Sequence, residues 1–492
     1  MEFKLIETTI DQIHAAYRSG EFTCRQLVEM YLARINDFDK AGPEINAIIT
    51  VNPNALVDAD RLDAAQSTGG FVGPLHGIPV IVKDQCDALP MPTTLGSLLF
   101  KDNYPDRDAF VVEKLRDAGA IILGKSTLGE LAAGDTHGSL FGSTKNPYDF
   151  LRTAGGSSGG SGASVASNFC TIAVGQEGYA SICRPSSWNC VVGIRPTAGL
   201  VSRSGVYGGW PLINGTLGPM ARNVSDVTKL LDVMVGYDPE DPLTAYGQNH
   251  LAVPFASFLD KNGLEGARIG VLRESIGVNS EPDSEDFRKV DEVFNQAVND
   301  LRSSGAFVVD PIVIPDLKLL LSLRANSPTD EELSLQKFMA RSKNPPYRSR
   351  SEVMNSPEYS KVNKRARDQW AKKGSEADHY QFLKAREQLM TNLLNVMASH
   401  NLDAICMKSV EHQSTYIKDG VNPPFVNHKG AHHLSTFLVY VPSVIVPAGF
   451  TRDNQPAGVT FLGRPYEDGK MIKLAFAYEQ ATLHRKEPRL EP

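Results

Sequence analysis

Three stretches of the chain carry residue types suited to nucleophilic chemistry. The apolar run 78–82 ends in Lys83-Asp84, the loop 155–162 reads Gly-Gly-Ser-Ser-Gly-Gly-Ser-Gly, and the segment 175–185 contains Ser181. A lysine at the end of a buried strand is kept from water, and burial disfavours its ammonium form. Taking it from an ordinary pKa of about 10.4 to near 7 corresponds to roughly 4–5 kcal/mol of disfavoured charge. The resulting neutral amine can accept a serine proton without help from histidine. A salt-bridged lysine, or one whose stem is buried and whose head reaches water, fits the same spacing. The glycine loop has no lysine after it and so matches no phosphate-binding fingerprint. It matches G-x-S-x-G twice, with Ser157 or Ser158 central, but a nucleophile elbow needs an apolar strand directly before the serine and residues 145–153 are polar and turn-rich. Metal chemistry lacks its usual spacings: there is no HExxH and no CxxC, and the histidines are scattered apart from His432-His433. Neither a metal nor a cofactor is expected.

The elements that must position these residues follow from periodicity. Ile10, Ile13, His14 and Tyr17, then Leu27, Met30, Tyr31 and Ile35, recur at helical spacing, so residues 1–70 are expected to form a helical amino-terminal cover. Over 73–236 short apolar runs, such as 78–82 and 120–123, alternate with helical stretches like 109–117, the mark of an α/β catalytic core. After a turn-rich boundary at 236–242, a strand at 268–272 and an amphipathic helix at 284–301 resume the core. Residues 322–375 are polar, contain Pro345-Pro346 and show no clean strand. They read as a rim insertion, either a solvated helical face or a substrate lid. The segment 400–492 returns to the sheet through apolar runs at 439–446 and 458–462, followed by a helix at 470–483.

Composition narrows the function classes. With 41% hydrophobic and 22% charged residues, the 492-residue chain belongs with folded globular proteins. Fifty basic against 57 acidic side chains give a net charge of −7, so neither nucleic acid nor an anionic membrane is an expected partner. No run of 18 uncharged apolar residues occurs, and the start Met1-Glu2-Phe3-Lys4 lacks the features of a secretory signal. A cytoplasmic location is the expectation. The six cysteines form no dense framework and read as packed free thiols.

Taken together, Gly77-Ile78-Pro79-Val80-Ile81-Val82-Lys83-Asp84, Pro92-Thr93-Thr94-Leu95-Gly96-Ser97, the 155–162 loop, Ser181-Ile182, Gly193-Ile194-Arg195-Pro196-Thr197 and Gly218-Pro219-Met220-Ala221-Arg222 resemble the amidase signature family. The likeness extends through 117–125 to Pro442-Ser443 and Pro447-Ala448-Gly449 and is weakest over 240–400. It implies one α/β/α domain over 1–492, a mixed twisted sheet of about eleven strands covered by helices on both faces. It further implies a cofactor-free Ser, cis-Ser, Lys unit: Ser181 as nucleophile, Ser157 as the bridging serine behind a cis Gly156-Ser157 peptide, and Lys83 as base. Ser158 becomes a hydrogen-bonding support. The backbone N–H groups of Gly178, Tyr179, Ala180 and Ser181 become the oxyanion hole. The implied activity is hydrolysis of a small-molecule carboxylic amide through a seryl acyl-enzyme.

Against the family pattern, Asp-Thr-Gly-Gly-Ser is replaced by Glu177-Gly178-Tyr179-Ala180-Ser181. Negative φ is therefore expected at Tyr179 and Ala180, with Tyr179 narrowing the acyl pocket. The frequent arginine two residues after the nucleophile is Cys183, read as a packed thiol, with Arg184 following it. Tyr179, Tyr207 and Trp210 are the expected pocket aromatics, and the insertion at 322–375 and the stretch 428–433 are further sources of specificity. Delivery of the acyl group to an amine or alcohol, an amide-forming reaction and the glutaminase component of a tRNA amidotransferase remain alternatives, as does a silent binding protein. Retention of Lys83, Ser157 and Ser181 argues against the last. Oligomeric state stays open, a homodimer included.

Overall fold

Thr9-x-x-Gln12 and Thr23-x-x-Gln26 each close a reciprocal capping box, which starts α1 (Ile10–Ser19) and α2 (Cys24–Ile35) where the periodicity predicts. Ile10, Ile13, Tyr17, Leu27, Tyr31 and Ile35 are buried, whereas Met30 is 37% exposed and lies off the apolar face. The computed structural model describes residues 3–209, 212 and 215–491. The amino-terminal cover is not wholly helical. Between α2 and α3 (Ala55–Gly69) the chain adds β1 (Ile48–Val51), paired antiparallel along the edge of the main sheet. Four residues, all of them β-branched, suit an edge strand but are too few to show an alternating pattern.

The remaining strands of that sheet are β2 (Pro79–Lys83), β3 (Ile121–Ser126), β4 (Ile172–Glu177), β5 (Val192–Arg195), β6 (Thr216–Ala221), β7 (Arg268–Leu272), β8 (Phe307–Ile312), β9 (Ala404–Lys408), β10 (Ser443–Phe450) and β11 (Pro456–Leu462). Their spatial order is β1-β3-β2-β4-β6-β5-β10-β11-β9-β7-β8. This is a mixed sheet of 11 strands with helices around it, in one domain. β2 pairs parallel with β3 and β4, placing Lys83 beside Ser126 and Val82 beside Val174. The strands nearest the site are buried along their whole length, which is why they read as continuous apolar runs rather than alternating ones.

After α4 (Phe110–Asp117), which packs beside β3, comes α5 (Gly159–Ala166), buried at every residue, where glycines serve close approach. A Cβ on Gly160 would run into the backbone and hydroxyl of Thr127, and one on Gly156 into Gly134 O. Segment 322–375 carries the helices Asp330–Met339, Arg350–Met354 and Lys364–Ala371. It is not a solvated face. Leu335, Phe338, Met339 and Trp370 pack with Leu95, Phe100 and Leu131 in an apolar cluster beside the core.

Candidate active site

β2 ends at Lys83, Asp84 opens the turn after it, and the two buried side chains take different partners. Asp84 is taken by Lys125, Oδ1 to Nζ 2.7 Å, with both side chains fully buried. Lys83 has no ion-pair partner among the described residues. Its Nζ contacts Ser157 Oγ at 2.8 Å and donates to Gln176 O at 3.3 Å. Burial lowers its pKa to about 7, an effect that the neighbouring Glu177 only partly opposes.

Ser157 sits on the turn into α5, after a cis Gly156-Ser157 peptide. Its Oγ lies 3.0 Å from Ser181 Oγ, so Lys83, Ser157 and Ser181 form one hydrogen-bonded line. A hydroxyl can both donate and accept, so this line can carry protons in either direction. Ser158 points elsewhere: its Oγ bonds Gln176 O at 3.1 Å and accepts from Gln176 N at 3.2 Å. Its N–H donates to Ser181 O, fastening the two serine loops together.

Ser181 follows β4 and precedes α6 (Cys183–Trp188). Among the described residues, the N–H groups of Gly178, Tyr179, Ala180 and Ser181 have no acceptor. The opposite side of this loop is held. Thr436 Oγ1 donates to Gly178 O at 3.0 Å, and Ser435 Oγ donates to Tyr179 O. Tyr179 and Ala180 both have negative φ, as expected for non-glycine residues in these places. Cys183 is a packed thiol: its Sγ contacts Ser409 O at 3.3 Å, and burial pushes its pKa up to about 12. Arg184 pairs with Asp135 at 3.0 Å and donates to the carbonyls of Gly134 and Gly156, so it braces the peptide that carries Ser157.

Ser181 opens onto a cavity of about 170 Å³ whose wall includes Tyr179, Tyr207, Arg324, Glu331 and Trp370. Tyr179 stacks on His433 at 5.3 Å and tilts against His428 at 5.0 Å, which brings the 428–433 stretch to the pocket. Tyr207 packs edge-on against Phe338 at 5.6 Å. Trp210, the third expected pocket aromatic, lies outside the described residues. Glu177, Asp135, Ser435 and Thr436 escape sequence reasoning. Of these only Glu177 carries a signal, a carboxylate closing a buried strand. Among the described residues no cluster of three or more His, Cys, Asp or Glu is placed to share a metal ion, and no helix is long and apolar enough to cross a membrane.

Comparison with known proteins gives the arrangement a lineage. The sequence model described as Amidase matches residues 26–472. A probable amidase of Arabidopsis thaliana is 31% identical over 516 residues, covering 99% of this chain and 92% of that protein. A glutamyl-tRNA(Gln) amidotransferase subunit of Symbiobacterium thermophilum is also 31% identical, covering 96% of this chain and 97% of that protein. Among solved structures, native peptide amidase from Stenotrophomonas maltophilia superposes with a TM-score of 0.86 at 31% identity, covering 99% of each chain.

Proposed function

Because the chain belongs to the amidase signature family, hydrolases of carbon–nitrogen amide bonds, we propose that it cleaves a carboxylic amide through an acyl-enzyme on Ser181. The observation that carries this reading is the line from Lys83 through Ser157 to Ser181, with a lysine whose pKa falls to about 7. Neutral Lys83 takes the proton of Ser157 as Ser157 takes that of Ser181, and Ser181 Oγ attacks the amide carbonyl carbon. The carbonyl oxygen becomes an oxyanion facing the unengaged N–H groups of residues 178–181, where one well-aimed donor contributes roughly 3–4 kcal/mol. The relay then reverses, the leaving nitrogen gains the proton, and ammonia or an amine departs. Water, deprotonated by the same relay, attacks the ester and releases the acid.

All three residues come from 73–236, with 322–375 supplying part of the substrate wall. Intact mass after incubation with a small fluorophosphonate tests the reading. One adduct on the wild type, lost in Ser181→Ala and slowed in Ser157→Ala and Lys83→Ala, is the expected result. No adduct on a folded wild type would reject it. The resemblance to an amidotransferase component supports glutamine hydrolysis as a second reading, tested by ammonia release from glutamine. Acyl transfer is tested by adding an amine to the reaction. Acid as sole product in both cases removes it.

A further inference from the structure

We propose that Arg324 binds a carboxylate on the substrate, so that the amides taken by this site are anionic. This rests on Ser181 being the nucleophile. Arg324 follows the helix Leu317–Ser322 and lies on the wall of the cavity that holds Ser181. Its Cζ sits 5.0 Å from the centroid of the Tyr179 ring. The residue is exposed, and among the described residues its guanidinium has neither an ion-pair partner nor a hydrogen-bond acceptor. Unpaired arginines occur elsewhere, Arg365 and Arg386 among them, but Arg324 lies on the wall of the cavity that Ser181 opens onto, against the ring of Tyr179. Arg184, Arg195, Arg203 and Arg341 each face a carboxylate within 4 Å.

The surroundings favour an anion. Arg350, the other arginine on the wall, also lacks an ion pair among the described residues, but it donates to Trp370 O and lies over the indole, which occupies it as a wall element. Glu331 is the carboxylate of the wall and pairs with neither arginine. His428, tilted against the Tyr179 ring at 5.0 Å, is held neutral, its pKa lowered by burial and by the fields of Arg184, Arg365 and Arg324. A guanidinium resting on an aromatic ring keeps its N–H edge free, the geometry that takes a carboxylate with two parallel hydrogen bonds. Tyr179 is two residues before the nucleophile, so the anion would sit a few bonds from the scissile carbonyl.

The test compares fluorophosphonates bearing a carboxylate tail with their methyl esters. The tail is placed either on the phosphorus alkyl chain, standing for the acyl side, or on the alkoxy group, standing for the amine side. For one placement, wild-type Ser181 is expected to label about tenfold faster or more with the carboxylate, the size of a charge-assisted hydrogen bond. The ratio should fall to near one in Arg324→Ala, be partly kept in Arg324→Lys, and shrink with added salt. Equal rates for both placements in the wild type, or a preference that survives Arg324→Ala in a variant with unchanged unfolding midpoint, overturn the proposal. Labelling of Ser181 by the esters without carboxylate preference strikes Arg324 alone. Failure of every probe to label Ser181 strikes the acyl-enzyme reading and the proposal with it.

Discussion

Glu177 and Arg195 meet beneath the nucleophile loop, Oε1 to Nε 3.7 Å, with side chains only 2% and 1% exposed. The pair joins the two supports of that loop. Glu177 Oε2 accepts from the N–H groups of Ile182 and Cys183, both at 2.8 Å, and so fixes the start of α6 just after Ser181. Arg195 donates to the carbonyls of Ser435, Val439 and Val441, holding the segment whose Ser435 and Thr436 hydroxyls tie back Tyr179 and Gly178. Burial lowers the Arg195 pKa to about 10, and Glu177 opposes that shift.

Glu177→Gln removes the charge and leaves Arg195 buried and unpaired. A broken buried pair typically costs about 3–5 kcal/mol. Chemical denaturation should show a loss of this order, and fluorophosphonate labelling of Ser181 should slow because the loop amides lose their anchor. Adding Arg195→Met should recover part of the stability, since the stranded charge is gone. A stability loss under about 1 kcal/mol with unchanged labelling would show the pair to be a bystander.

Lys83 must be neutral to act, so kcat/KM on a reactive amide should rise with pH through a midpoint near 7 and then level off. Lys83→Ala should abolish that step and lower the rate by roughly 10²–10⁴-fold, the usual worth of a positioned base. Ser157→Ala should fall comparably. Ser158→Ala, which loses only contacts to the Gln176 backbone, should fall less. A pH profile whose midpoint persists in Lys83→Ala would assign the titration to another group.

Tyr179 stands between the nucleophile loop and His433, on the cavity wall. Tyr179→Gly should widen the cavity, raising kcat/KM for branched or aromatic acyl amides relative to short linear ones. It also removes the ring under Arg324. An acyl-size panel with unchanged ranking would exclude Tyr179 as the wall that sets selectivity.

The chemistry-bearing residues are legible in the sequence because their types are rare in their settings: a lysine ending an apolar run, and serines amid glycines. The strand at Arg268–Leu272 and the helix Glu285–Ser303, with Ser284 as its cap, are legible because an apolar run and a cap mark local structure. β1 is not, since four residues carry too little pattern. Nor are Glu177–Arg195 and Arg184–Asp135, whose partners come together only when the sheet closes. Arg324 is hidden for another reason. Its defining property is its place, unpaired among the described residues, on the cavity wall over Tyr179, which only the folded arrangement reveals.

The cost of keeping Lys83 unpaired should appear as a pH-dependent stability difference. In the native state its pKa is about 7, whereas in the unfolded chain it returns to about 10.4. Between these values the unfolded state binds one more proton, so this group makes stability rise with pH across that window. Below pH 7 both states hold the proton and the full penalty is present; above about 10.4 neither does and it is gone. Lys83→Met removes the titration while keeping an unbranched side chain of similar length. Relative to wild type, the variant should therefore be favoured most at pH 6, and its advantage should shrink by on the order of 2 kcal/mol between pH 7 and pH 9. Denaturant unfolding of both proteins at pH 6, 7, 8 and 9 measures this. A stability difference that is flat across the series would mean that Lys83 keeps its ordinary pKa in the fold and is a permanent cation, which would remove the base from the proposed relay.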